Sequence, residues 1–204
     1  MKYRILAGFV SLGLSLCIAQ AQEGDRNEAT ISATGSFQQS TNGNGIRQSA
    51  TDAAGVLFSY RHFFTQHQGV ELDYGFSRFD QQYSFSNAAA PLSLGVPANA
   101  NEATASYIYR RPIGHRLSPF VTAGTGALVF VPDSFAFGST KGNTFGTPDF
   151  VYSAGADVSI SRRVSLRLGY RGHVFEAPNF GIVGINTGSV THMAQPFGGL
   201  SFHF

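Results

Sequence analysis

The sequence predicts an all-β protein, an eight-stranded antiparallel up-and-down β-barrel that crosses a membrane with its strands. Three observations predict it. Eight runs of about ten residues alternate between apolar and polar side chains, the connections between them alternate between short and long, and charged residues are scarce. Charged residues make up 13% of the 204 positions, about half of the roughly 25% usual in soluble domains. Gly supplies 24 residues, Phe 19 and Tyr 8, while Trp is absent, a mixture that favours strands and turns over helices. After Ile18 no apolar segment is long enough for a spanning helix, so a chain that meets lipid must do so with one face of alternating strands.

The chain opens MKYRILAGFVSLGLSLCIAQAQ. Lys2 and Arg4 give a positive start, Ile5 to Ile18 an apolar stretch, and Ala19-Gln20-Ala21 a small-x-small site, which together form the pattern of a secretory signal peptide. Residues 1–21 are therefore expected to be removed, and residues 22–204 to form one barrel domain. A membrane anchor would need about 20 apolar residues, more than this stretch holds. A lipidated Cys follows a small residue, whereas Leu16 precedes Cys17. Cleavage removes the only Cys, so no disulfide helps the mature chain fold in its oxidising compartment. The leader carries two of the 14 basic residues and none of the 12 acidic ones. The mature chain is thus formally neutral, with no basic excess to invite nucleic acid.

The runs are Ala29–Gln39, Ala53–Phe64, Gly69–Phe79, Glu102–Arg111, Pro119–Val131, Phe150–Ser161, Val164–Phe175 and His192–Phe204. Three connections are short, Thr65–Gln68, Pro112–Ser118 and Arg162–Arg163. Four are long, Ser40–Asp52, Asp80–Asn101, Pro132–Asp149 and Glu176–Thr191, and are rich in Gly, Asn, Ser, Thr, Ala or Pro. Bacterial outer-membrane barrels have an even strand number, short periplasmic turns and longer outer loops. With a periplasmic N-terminus, eight strands put every short turn on the periplasmic side. No shift in composition divides the runs, so one domain is expected.

In VELDYGF, Val70, Leu72, Tyr74 and Phe76 share one side and Glu71, Asp73 and Gly75 the other. In VSLRLGYRGHV, Val164, Leu166, Leu168, Tyr170 and Val174 oppose Ser165, Arg167, Gly169, Arg171 and His173. The same parity puts Arg61, Glu102, Arg110 and Asp157 with the polar set. Alternation alone does not say which face points inward. A soluble lipocalin-like barrel would turn the apolar face in. The polar face, mostly Gly, Ser and Thr, is a thin surface for a soluble protein. Phe58, Tyr60, Tyr74, Phe76, Tyr107, Tyr109, Tyr152 and Tyr170 are too bulky for an eight-stranded lumen. Facing lipid, the Tyr residues would supply interfacial girdles. The charges are therefore expected inside, with Arg61, Arg110, Arg167 and Arg171 paired to Glu71, Asp73, Glu102 and Asp157, because an unpaired charge there would be costly. Such pairing would close the lumen.

The mature chain from about Ala29 to Phe204 resembles the OmpA/OmpX-type eight-stranded outer-membrane barrels. The resemblance rests on the alternating loop lengths, on SPFVTAGTGALVF at Ser118–Phe130, and on the ending GGLSFHF. In that family the last strand carries a signal read by the barrel-assembly machinery, and Gly199, Phe202 and Phe204 match it. Phe197 stands where the family prefers a polar residue. The resemblance implies outer-membrane lipids and lipopolysaccharide as surroundings and no cofactor. OmpA continues into a peptidoglycan-binding domain. This chain stops at the last strand, so wall anchoring is not implied.

Other motifs carry less. Gly124-Thr125-Gly126 has the look of a phosphate loop but lies in a strand pattern, without the GK[ST] and the helix that should follow. His62 and His67 flank a short turn with no third ligand, so no metal is expected. Some barrels of this type modify the acyl chains of lipopolysaccharide with Ser, His and an acid near the outer rim, where Asp133, Ser134 and His192 map. Acyl transfer would need the His within reach of the Ser, while Asp-Ser after Pro132 is also ordinary turn chemistry. Arg78 has the lipid-facing parity near the outer end of its run, and its planar fork suits lipopolysaccharide phosphates; it could equally extend into solvent. The apolar loop residues Leu92, Leu94, Val96, Phe180, Ile182, Val183 and Ile185 could serve adhesion to an extracellular ligand, fold over the barrel mouth, or extend the strands as hairpins. The reading that follows is a non-enzymatic monomer in the outer membrane with a structural or surface-interaction role. A small-solute pore and a lipid-modifying enzyme are the alternatives.

Overall fold

The computed structural model describes residues 26–85, 92–114, 116–133, 136–137 and 140–204. The expected leader and Ser134 lie outside them. The alternating runs form strands β1 (Asn27–Gln38), β2 (Ala53–Phe63), β3 (Gln68–Phe85), β4 (Leu92–Arg110), β5 (Leu117–Pro132), β6 (Phe145–Ser159), β7 (Val164–Glu176) and β8 (Val190–His203). Each pairs antiparallel with its neighbours in sequence, and β8 pairs back with β1, so the sheet closes. Among the described residues the fold is an eight-stranded antiparallel barrel.

The register fixes its width. Following paired residues around the wall from Asn27 through His62, Val70, Tyr107, Ala123, Tyr152, Gly172 and Ala194 ends at Phe37, ten residues further along β1. A stagger of ten residues over eight strands requires a strand tilt of about 40° and a wall radius of roughly 8 Å, an interior that side chains can fill.

The short turns use side-chain oxygens as substitutes for backbone acceptors. Thr65 Oγ1 accepts from the N–H of His67 at 3.2 Å and of Gln68 at 3.0 Å. Ser161 Oγ does the same for Arg163 at 3.3 Å and Val164 at 3.1 Å. The long connections are more structured than their composition suggests. Ser40–Asp52 contains a small hairpin, Thr41–Gly43 with Ile46–Ala50, turned at Asn44 and Gly45 with φ of 51° and 74°. Its second strand pairs with the upper part of β3. Most of Asp80–Asn101 is strand, because β3 and β4 run on together as far as Phe85 and Leu92. The connection Glu176–Thr191 folds inward around a single 3-10 turn, Val183–Ile185.

The orientation of the faces is unambiguous. Phe58 is 48% exposed and Tyr74 51%, whereas Arg61 and Arg167 are each 1% exposed. All eight bulky residues assigned to the apolar face point outward. Higher on β3 the pattern reverses without losing its period. From Val70 to Phe76 the outward residues are apolar or tyrosyl, but beyond it they are Arg78, Asp80, Gln82 and Ser84, while Phe79 and Tyr83 are buried. On β4, Val96, Ala98 and Ala100 are likewise buried, opposite outward Pro97, Asn99 and Asn101. Above this level the wall stands in water and encloses an apolar core.

Candidate functional site

The lumen is filled in layers. At the end that carries the short turns Phe63, Ile108, Phe120 and Phe197 form an apolar floor, so Phe197, the departure from the family ending, packs inward. Guanidinium groups lie over two of these rings. Arg110 is 3.6 Å from the centroid of Phe63, and Arg61 is 4.1 Å from that of Phe120, contacts that let a cation face an apolar layer.

Above the floor lies the first ion cluster. Arg61 donates through Nε to Glu71 and through Nη1 to Asp157 at 3.0 Å. Arg167 donates to Asp157 at 2.8 Å and to Glu28 at 3.3 Å, with Glu71 3.6 Å away. Arg110 also donates to Glu28, and the His203 ring lies 3.3 Å from the same carboxylate. The second cluster sits higher. Arg171 donates to Glu102 at 2.8 Å, to Asp73 at 3.3 Å and to Thr104 Oγ1 at 3.1 Å. The Nδ1 of the buried His173 lies within hydrogen-bond distance of Asp149 at 2.7 Å, and its Nε2 lies 3.5 Å from Glu102. Gly75 makes this layer fit, since a Cβ there would come within 2.3 Å of the Glu102 carboxylate.

All eight expected lumen residues thus lie inside the barrel, in these two groups. The expected balance of four against four is corrected by what the edges of the runs concealed. Glu28 and Asp149 also face inward, so among the described residues six carboxylates meet four arginines, with His173 and His203 beside them. Both missed carboxylates stood one residue before the runs at Ala29 and Phe150. Their parity with Thr30 and Val151, inward residues of the same strands, was the available signal.

A roof closes the outer end. Phe180, Ile182 and Ile185 from the last long connection pack with Ile46, Phe79, Tyr83, Val96, Phe130, Phe175 and Met193 in one buried cluster. Phe180 adopts a left-handed backbone with φ of 51°, a conformation costly for an aromatic residue, and its ring is fully buried. The roof is fastened by Tyr83, whose hydroxyl donates to the Pro178 carbonyl at 2.7 Å, and by Gln48 Nε2, which donates to the same oxygen at 3.3 Å. Burial pushes the Tyr83 hydroxyl well above its ordinary range, so it stays a donor. Of the three fates open to the apolar loop residues, Phe180, Ile182 and Ile185 fold over the mouth, Leu94 and Val96 extend a hairpin, and Val183 alone of that connection's apolar group is fully solvent-exposed at 91%.

The remaining candidates are separated. Asp133 forms an exposed pair with Arg78 at 2.5 Å. His192 meets the Tyr152 hydroxyl at 2.9 Å on the outward face of β8, with β6 and β7 between it and β5. His62 Nδ1 lies 2.9 Å from Asn27 Oδ1, and His67 stacks on Tyr109 with centroids 6.3 Å apart. Gly124-Thr125-Gly126 is mid-strand in β5. At the C-terminal strand, Phe202 points outward, Phe204 follows it, and Gly199 faces inward where a Cβ would lie 2.1 Å from the Ile31 carbonyl.

A closed strand barrel with an aromatic lipid-facing band and a charged interior defines a transmembrane β-barrel. The chain belongs to the family described as outer membrane protein beta-barrel domain, whose profile matches residues 9–191. Its fold is similar to that of Neisserial surface protein A, with a TM-score of 0.61 and 13% identity over 90% of this chain and 100% of that one. The outer membrane protein OprG from Pseudomonas aeruginosa follows with 0.59 and 12% over 89% and 97%. The outer membrane protein AlkL gives 0.50 and 17% over 91% and 92%. No curated protein matches the chain in sequence.

Proposed function

We propose that this chain is a non-enzymatic, monomeric barrel of the Gram-negative outer membrane, closed to solutes, with a structural or surface-interaction role. The observation that carries the reading is the continuous filling of the lumen. An aromatic floor, two ion clusters and an apolar roof follow one another along its axis. A pore needs a wetted path, and in a barrel roughly 8 Å in wall radius the side chains leave little room for one. Membership of the family supports the outer membrane as its place. The C-terminal Gly199, Phe202 and Phe204 would be read by the barrel-assembly machinery, and lipopolysaccharide would surround the outer rim. Interaction with an extracellular partner would use the water-exposed extension of β3 and β4 and the crest around Val183.

Two measurements test this together. Outer membranes from expressing cells should contain a compact band that shifts on boiling, and the protein should give no steady conductance in a planar bilayer. Recovery as a soluble periplasmic protein would overturn the membrane reading. Stable unitary conductance, altered by Arg167→Ser or Arg171→Ser, would replace the closed barrel with a small-solute pore.

A further inference from the structure

The exposed charges are unevenly distributed. Of the arginines outside the lumen, Arg111 and Arg116 lie on the β4–β5 turn and Arg162 and Arg163 on the β6–β7 turn, all exposed. Among the described residues no exposed acidic side chain accompanies them, because Glu28 and Asp157, the acids nearest that end, are consumed inside the barrel. Asp52, Asp80, Asp133 and Glu176 all belong to the opposite end. Arg26 also sits at this rim, but Glu23 and Asp25 precede it outside the described residues, so it is left out of the arc.

The four arginines form one arc. The Ser159 N–H donates to the Arg116 carbonyl at 2.8 Å, tying the β4–β5 turn to the edge of the β6–β7 turn, and the His203 N–H donates to the Arg163 carbonyl at 2.9 Å. Directly above the arc on the lipid side stand Tyr107, Tyr109, Ile113, Leu117, Val158 and Ile160, all exposed. Apolar and tyrosyl side chains of this kind set the boundary of the hydrocarbon, so the guanidinium groups are held at the depth of the headgroups. The other short turn, Thr65–Gln68, has no arginine.

We propose that this arc is a binding surface for the phosphate groups of anionic phospholipids in the leaflet that meets the short turns. Four guanidinium forks on hydrogen-bonded turns offer bidentate donors with no exposed acidic side chain among the described residues of that rim to compete. The proposal rests on the membrane reading above, not on the closure of the lumen.

The test places the protein in phosphatidylcholine vesicles with a trace of spin-labelled phosphatidylglycerol or spin-labelled phosphatidylcholine, and compares the immobilised fractions by electron spin resonance. One arginine near an anionic headgroup shifts its association about fivefold. The wild type should therefore favour the anionic lipid at least that much, and the preference should fall to about one in R111Q/R116Q/R162Q/R163Q and in high salt. The variant R47Q/R78Q/K141Q, altered at the other end, should retain it. Equal association of the two lipids with the wild type, or a preference lost only in the opposite-end variant, would overturn the proposal. Inorganic phosphate that abolishes the preference where chloride of equal ionic strength does not would reassign the arc to a free-anion site. The boiling-dependent band shift is read on the same vesicles. Its absence in the wild type would fail the barrel reading itself, and its absence in the fourfold variant would pass the test to R111Q/R116Q and R162Q/R163Q, each expected to lose part of the preference.

Discussion

Arg167 is where the lumen is most sensitive to a single change. Replacing it with Met keeps the unbranched apolar stem of the side chain but removes a cation that faces Asp157 at 2.8 Å, Glu28 at 3.3 Å and Glu71 at 3.6 Å. At an effective dielectric of about 20, each of these contacts represents roughly 5 kcal/mol of gross attraction. Most of that is offset by desolvation of the buried ion, and Arg61 faces the same three carboxylates. Breaking one partner out of a buried cluster typically costs about 3–5 kcal/mol, and Arg167→Met should fall in that range. The measurement is urea unfolding of the protein in lipid vesicles, followed by the loss of the compact gel band, with Arg162→Met on an exposed turn as the reference. A loss below about 1 kcal/mol, or one equal to that of the reference, would show that the cluster does not depend on this cation and would refute the reasoning.

Three further outcomes follow from the packing. Gly75→Val should push the Glu102 carboxylate off its seat and destabilise the barrel by about 1–3 kcal/mol, the usual penalty of overpacking, as read by the same unfolding curve. Phe180→Ala should remove the largest side chain that the last connection contributes to the roof, and should speed amide exchange in residues 177–189 while leaving β2 protected. Arg78→Ala should change stability by less than about 1 kcal/mol, because both partners of the Arg78–Asp133 pair are well exposed; a larger loss in the unfolding curve would mean that this pair, and not the strand register, holds the β3–β4 extension upright.

The barrel was legible because strand alternation has a period of two and loop lengths are visible in the sequence. Tyr74 and Phe76 against Glu71 and Asp73 give the faces, and the scarcity of charge gives their direction. The lumen residues were legible for the same reason, as charges carried on the polar parity. The ends were not. Glu28 and Asp149 were lost because a run is cut where its apolar residues stop, whereas the backbone pairing continues. The paired stretches Asp80–Phe85 and Leu92–Asn101 look like loop in the sequence because the apolar residues change sides after Phe76, which breaks the apparent pattern although the strands go on. The roof depends on Phe180 at a positive φ and on contacts from Ile46 to Met193. Such distant contacts leave no local trace.

The change of sides after Phe76 also serves as a depth mark. From Val70 to Phe76 the strand presents apolar and tyrosyl side chains outward, bounded by the outward polar residues Gln68 and Arg78, and at about 3.4 Å per residue and a tilt of about 40° the distance between those two polar marks is roughly 25 Å, close to the apolar band of outer-membrane barrels. The sequence therefore sets the hydrocarbon thickness that the molecule tolerates. Replacing the outward Arg78 with an apolar residue would move the mark by two positions and lift the bilayer surface on that side by about 5 Å. A barrel altered in this way would settle best in a thicker membrane, while its lumen, whose contacts lie lower, stayed as it is.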